Sequence, residues 1–292
     1  MKTLVAGWFS FEGMGASAGD LMASDVACGW LERAGRAYDV ALAPPFEGGV
    51  DWQLVDPSEY SELLFVCGPA GNGRPLTDLL ARFEGKRLVG LNVTMLEPLE
   101  AWNPFDVLVE RDSSRIARPD LAFVSELPRV PIVGVVRIDA QPEYGKRDRH
   151  DQVDAAIDRL LAERGVVAVP IDTRLDTGTN PLRVPAEVES LIARMDATVT
   201  TRLHGLVLSL KNGVPAVAID SVAGGAKVSR QAEVLGWPAV LTADTLDIVE
   251  LGRALDFCLT PEARSMACEC AERAVAGLHA LGDELIAELA RG

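Results

Sequence analysis

Short runs of consecutive apolar residues alternate along this chain with stretches whose apolar positions recur every three to four residues. Positions 3–8, 63–67, 87–92 and 107–110 are runs of the first kind. Unbroken apolar runs of that length predict strands buried on both faces, as in a parallel sheet. A glycine-rich stretch (Gly13, Gly15, Gly19) leads into a helix predicted over about 20–33, and the run at 63–67 opens into a loop through Gly68, Gly71 and Gly73. A polar link holding Pro128 and Pro131 then breaks the series. Beyond it the pattern predicts strands at 132–136, 166–171, 197–200 and 216–219, with helices at 151–164, near 185–195 and over about 202–212. From Pro261 one helical pattern continues to the end, with Thr260 suited to cap it and Pro261 to its first turn.

Such alternation implies an α/β fold of two Rossmann-like lobes, residues 1–127 and 128–260, with a cleft between them and a closing helix over 261–292. Ligands in open parallel sheets bind outside the carboxyl ends of the strands.

Composition narrows the function classes. The 292 residues are 48% hydrophobic and 24% charged, the balance of a globular protein. No stretch approaches the roughly 20 apolar residues that span a bilayer. The apolar N-terminus runs quickly into Glu12 and the glycines, so it reads as a first strand rather than a secretion signal. A net charge of −15 argues against nucleic acid and against anionic membrane surfaces. Cys28, Cys67, Cys258, Cys268 and Cys270 are odd in number and form no Cys-x-x-Cys pair, which suggests neither a disulfide framework nor a zinc site. Reduced thiols in a cytoplasmic protein are the expectation. His150, in a charged run, and His279, on the last helix, are expected at the surface, and no metal site is implied.

The chemistry concentrates between Asp196 and Asp220. Leu203, Leu206, Val207 and Leu210 recur at helical spacing and predict a core-facing stripe, with Gly213 ending the helix. Thr200 or Thr201 could cap it. Arg202 and His204 then lie at a helix N-terminus just past a strand, where free N–H groups and the helix dipole favour an anion. Two residues apart on a helix cannot share a face, so Arg202 is expected at the strand end or cap and His204 in the first turn. Gly205 would let a ligand approach the backbone.

The segment Thr201-Arg202-Leu203-His204, the Gly213-Val214-Pro215 turn, and Lys227-Val228 ahead of Gly236 resemble the closing signature of the polysaccharide pyruvyl transferase family. Two further stretches resemble the family in the expected order: Glu110 to Ser114 with Arg118 to Phe123, and the opening loop with Gly19-Asp20. The resemblance implies a two-lobed arrangement like that of GT-B glycosyltransferases. It also implies transfer of the enolpyruvyl group of phosphoenolpyruvate onto two sugar hydroxyls, forming a ketal and releasing phosphate. By resemblance Arg202, Leu203 and His204 contact phosphoenolpyruvate, the co-substrate, with no other cofactor. Arg111 and Arg137 are further candidates to neutralise its carboxylate or phosphate, because a guanidinium binds such groups bidentately. His204 is the candidate general acid, Lys227 a candidate phosphate partner, and Asp20 a candidate base that could equally cap its helix.

The chain also departs from the family. It is shorter than typical members, Cys67-Gly68-Pro69 replaces a glycine-rich turn, and no aromatic precedes Lys227. These loops would line the acceptor side, so a soluble sugar-like acceptor is expected. A nucleotide-sugar glycosyltransferase and a non-catalytic relative are the competing readings. Against a dinucleotide loop, Gly13-Met-Gly15-Ala-Ser-Ala-Gly19 lacks the required spacing. Trp8, Trp30 and Trp102 are expected in the core.

Overall fold

The computed structural model describes residues 2–139, 142–176 and 180–291. The chain divides into two compact units, Met1–Pro128 and Arg129–Gly292.

In the first unit the strands are β1 (Lys2–Ala6), β2 (Ala37–Val40), β3 (Glu62–Val66), β4 (Pro69–Ala70), β5 (Arg87–Leu91), β6 (Thr94–Met95) and β7 (Val107–Val109), with helices α1 (Ala18–Arg33) and α2 (Leu76–Arg82). Five of them form a parallel sheet in the order β2-β1-β3-β5-β7. Its centre is β3, whose five residues are all buried. Glu62 is tolerated there because Thr3 donates a 2.6 Å hydrogen bond to it and Arg36 pairs with it.

The second unit holds β8 (Ile132–Val136), α3 (His150–Glu163), β9 (Val167–Pro170), α4 (Pro185–Ile192), β10 (Ala197–Thr200), α5 (Leu203–Lys211), β11 (Ala216–Asp220), α6 (Lys227–Leu235), β12 (Val240–Thr242), α7 (Ile248–Cys258) and α8 (Pro261–Leu289). Its parallel sheet runs β12-β11-β10-β8-β9. Counting strands within each unit, both sheets have the order 2-1-3-4-5, so each reverses direction beside its first strand. In the second unit that switch point lies between β8 and β10, where open α/β sheets leave a crevice at their carboxyl edge.

Helix α8 packs on α5, α6 and α7. Its first turn is built as its sequence predicts: Thr260 Oγ1 accepts the Ala263 N–H at 3.2 Å and Pro261 needs no partner for a missing N–H. One expectation fails in the first unit. Trp30 is 41% exposed, because it lies on the outer face of α1, while Ala23, Ala27 and Cys28 supply the buried one. Among the described residues no helix is long and apolar enough to cross a membrane.

Candidate functional site

The carboxyl edge of the second sheet gathers most of the residues singled out above. At the end of β10, Arg202 is the N-cap of α5 in an extended conformation, and His204 is the second helical residue. That resolves the geometric conflict between them as expected. Neither threonine caps the helix with its side chain. Instead Thr200 Oγ1 accepts the Arg202 N–H at 3.0 Å, and Thr201 Oγ1 accepts the Ile138 N–H at 2.9 Å, which ties the end of β8 to the end of β10.

Arg202 is largely enclosed, with 13% of its side chain exposed. Its Nη1 donates to Thr173 Oγ1 at 3.0 Å and lies 3.6 Å from Asp172 Oδ1, both past the end of β9. Arg137, one residue past β8, is paired with Asp158 and lies 3.8 Å from Asp154, both on α3. Arg174 pairs with Asp139 and Asp176 at the same edge. His204 and Lys227 are exposed, and among the described residues neither has an ion partner. The edge therefore carries three arginines held in place by acids, and two outward groups with charge or donors to spare. Such an arrangement can receive a small anion, provided the ligand competes with the aspartates for the arginine forks.

Gly205 serves a different purpose from the one expected. A β-carbon there would lie 2.0 Å from Thr200 Oγ1 and 3.0 Å from Val136. The glycine lets α5 sit directly on β10 and β8, and its space is filled by protein. Ser209 completes this contact by donating to Gly205 O and bonding Thr198, each at 2.7 Å. Leu206 and Leu210 are buried beneath.

The first unit holds the other candidates. Asp20 accepts from Ser17 N at 2.8 Å and Ser17 Oγ at 2.7 Å, closing a capping box at the start of α1. That is its capping role; the base role finds no support in these contacts. Arg111 donates to Thr94 Oγ1 at 2.6 Å and to Asp112 at 3.3 Å, and pairs with Asp120. Burial alone would raise the Asp120 carboxyl, but the Ala122 N–H and Arg111 outweigh it and hold it below the ordinary range. Arg111 is thus engaged on three sides, within its own unit. Beside it Cys67 sits in the left-handed region at φ 61°, a conformation that glycine adopts without strain.

His150 was missed by sequence reasoning. It is 5% exposed, not superficial: it opens α3 beneath the chain that crosses the end of β11. A charged run around it gave no periodic signal of this burial. His279 is exposed as expected. Among the described residues no group of three His, Cys, Asp or Glu side chains is placed to hold a metal.

Fold and edge together define the chain as an α/β protein of two Rossmann-like units, the second carrying three arginines and their aspartate partners at the carboxyl edge of its sheet. The polysaccharide pyruvyl transferase family model matches residues 112–221, so the resemblance is borne out over that span. It includes Arg137, Arg202, Leu203, His204 and Gly205, and stops short of Lys227. No curated protein matches the chain. Among solved structures it is similar to the calicheamicin glycosyltransferase, at 15% identity over 99% of this chain and 98% of that one, with a TM-score of 0.38. It is also similar to a spinosyn rhamnosyltransferase complexed with thymidine diphosphate, at 14% identity over 94% and 96% of the two chains and a TM-score of 0.36. A third is the UDP-GlcNAc 2-epimerase of Methanocaldococcus jannaschii, at 7% identity over 90% and 94% and a TM-score of 0.34.

Proposed function

We propose that this protein is a pyruvyl transferase that binds phosphoenolpyruvate at the carboxyl edge of the second unit's sheet and transfers its enolpyruvyl group to hydroxyls of a sugar-like acceptor. The observation that carries the reading is a coincidence of place. Arg137 and Arg202 stand at the ends of β8 and β10, the two strands flanking the switch point, and both lie inside the span matched by the family model.

In this reading Arg202 and Arg137 hold the donor's anionic groups. His204, exposed at the N-terminus of α5, gives a proton to the methylene carbon. The first acceptor hydroxyl then bonds through its oxygen to the adjacent carbon and returns a proton to His204. The bond from that carbon to the phosphate oxygen breaks with its electron pair leaving on phosphate, and the second hydroxyl bonds to the same carbon, its proton going to the departing phosphate, to close the ketal. The first unit, taken by itself, has a cavity of about 830 Å³ lined by Phe11, Trp52, Glu12, Asp51 and Arg74. Aromatic faces beside carboxylates suit a polyhydroxylated ligand.

Thermal unfolding with phosphoenolpyruvate, phosphate, UDP and GDP tests the reading. Phosphoenolpyruvate at about 100 times its dissociation constant should add about 2.7 kcal/mol to the stability of the wild type. Arg202→Ala should abolish that gain. Stabilisation by UDP or GDP, with none by phosphoenolpyruvate, would replace the reading with a nucleotide-sugar transferase.

A further inference from the structure

We propose that His150, Ser221 and Lys227 form a subsite for one phosphoryl oxygen, in a recess beside the Arg202 edge. The proposal rests on the phosphoenolpyruvate reading for its biological ligand, and on the geometry below for the site itself.

The recess lies where β8, β10 and β11 end. Ile138, Thr201, Asp220, Ser221, His150 and Lys227 line it, and its volume of about 10 Å³ suits a single oxygen atom. His150 and Ser221 are 5% and 3% exposed, and both are placed there by the backbone. The segment ahead of α3 pairs antiparallel with the chain leaving β11, through Arg149 N to Ser221 O at 3.0 Å and Ala223 N to Arg147 O at 2.8 Å. Asp148 takes the Nδ1 side of the His150 ring, which turns Nε2 toward the recess.

Among the described residues, Nε2 of His150 and Oγ of Ser221 are buried and have no hydrogen-bond partner. Two such atoms on one small recess are costly in a folded chain unless something polar is bound there. The remaining lining tells which kind. Thr201 Oγ1 already accepts from Ile138 N, so its own proton is left to give. The Asp220 carboxylate is occupied by Val222 N, Ala226 N, Ser229 N and Ser229 Oγ at 2.7–3.2 Å, and offers little to a newcomer. With Nδ1–H given to the Asp148 carboxylate, Nε2 of His150 presents a lone pair, so the recess offers the Ser221 and Thr201 hydroxyls as donors beside one acceptor, with Lys227, at the first turn of α6, in its lining. A protonated phosphoryl oxygen, which gives its hydrogen to Nε2 and accepts one from Ser221, with the Lys227 cation beside it for the charge of the phosphate, fits that lining. The carboxylate of the donor would then stay with Arg202, and the two ends of phosphoenolpyruvate would be read by different residues.

Isothermal titration of the full chain with inorganic phosphate, with pyruvate and with phosphoenolpyruvate separates these roles. Ser221→Ala and His150→Gln should each weaken phosphate by about tenfold and leave pyruvate nearly unchanged, while Arg202→Ala should weaken pyruvate. Because His150→Gln could disturb a buried position, ¹⁵N-histidine spectra of the wild type provide a second measurement: phosphate, and not pyruvate, should shift the His150 Nε2 signal. The proposal is overturned if phosphate binds equally well to Ser221→Ala and leaves that signal in place. Should phosphoenolpyruvate still bind through Arg202 in that case, the donor reading survives alone. Phosphate held through Ser221, with phosphoenolpyruvate bound no tighter than phosphate, would instead sink the donor reading and keep the subsite.

Discussion

Thr200 Oγ1 occupies the space in which a β-carbon on Gly205 would lie, at 2.0 Å, and the same oxygen accepts the backbone N–H of Arg202. The fit of α5 on its strand and the position of the candidate anion-binding arginine are therefore one contact. Gly205→Ala has to push the helix away or turn Thr200 aside, and overpacking of this kind costs about 1–3 kcal/mol. For a chain of this size the melting temperature should fall by about 2–4 °C per kcal/mol. Phosphoenolpyruvate should stabilise the variant less than it does the wild type, because Arg202 moves with the helix start. Adding Thr200→Ala, which removes the clashing oxygen, should recover part of the lost stability. No recovery in the double variant would mean that the contact does not set the packing.

Arg111 makes a contrasting case among the arginines. Its contacts with Asp120, Asp112 and Thr94 use its fork within the first unit. Arg111→Ala leaves Asp120, which is only 30% exposed, without its cation. The expected loss is about 1–3 kcal/mol of stability in urea unfolding. Asp120→Ala in the same chain should add less than its separate cost, since the two residues share one interaction. The stabilisation by phosphoenolpyruvate should persist in Arg111→Ala. Its disappearance, with the fold intact, would return Arg111 to the ligand-binding set.

Glu110, next door, gives the first unit a dependence on pH. Its side chain is 1% exposed and meets Arg115 at 2.8 Å, Arg118 at 3.5 Å and Ser113 at 3.0 Å. Burial pushes its carboxyl up, but its backbone N–H, Arg115 and Ser113 more than offset that and hold it below the usual value. A carboxyl depressed in the folded state binds its proton more readily when unfolded. Its contribution is therefore complete above the unfolded value of about 4.3 and is lost as pH falls through the lower folded value. Glu110→Gln should be less stable than the wild type near neutral pH, and the gap in urea midpoints should close in acid. A gap that is constant with pH would assign the cost to packing instead of charge.

Elements were legible where local pattern and tertiary burial agree, and each unit holds some that were not: β2 and α2 in the first, α6, β12 and α7 in the second. Strand β8 is an apolar run, β11 is one as far as Asp220, and β10 (Ala-Thr-Val-Thr) is buried throughout, while in α5 Leu206 and Leu210 of the expected stripe are buried and Leu203 and Val207 are partly exposed. Strand β2 (Ala-Tyr-Asp-Val) is a partly exposed edge with no run to betray it, and α2 has seven residues, too few for a clear period. The anion edge was legible because Arg202 and His204 follow a strand and open a helix. His150 was not, because its burial comes from pairing between segments more than 70 residues apart, around Asp148 and Val222. The purpose of Gly205 was invisible for the same reason: a glycine's neighbours in space leave no trace beside it in the chain.

The cysteines offer a test of how closed the two cores are in solution. Cys28, Cys67, Cys258 and Cys270 are buried, and Cys268 alone among the five is exposed. Burial raises the thiols of the four enclosed residues, and that of Cys258 is pushed up to about 12. A thiol kept protonated and out of contact with water reacts slowly, because the thiolate is the nucleophile. Cys268 and Cys270 are two apart on α8 and so face different sides, one outward and one onto the Leu235 carbonyl at 3.3 Å. With an aromatic disulfide reagent near neutral pH, the native chain should lose one thiol quickly and the other four only on unfolding. Cys268→Ser should remove the fast phase entirely. A second fast thiol that survives this substitution would locate an opening in one of the cores, and labelling followed by peptide mapping would say whether it lies at Cys67, beside Arg111, or under α8 at Cys270.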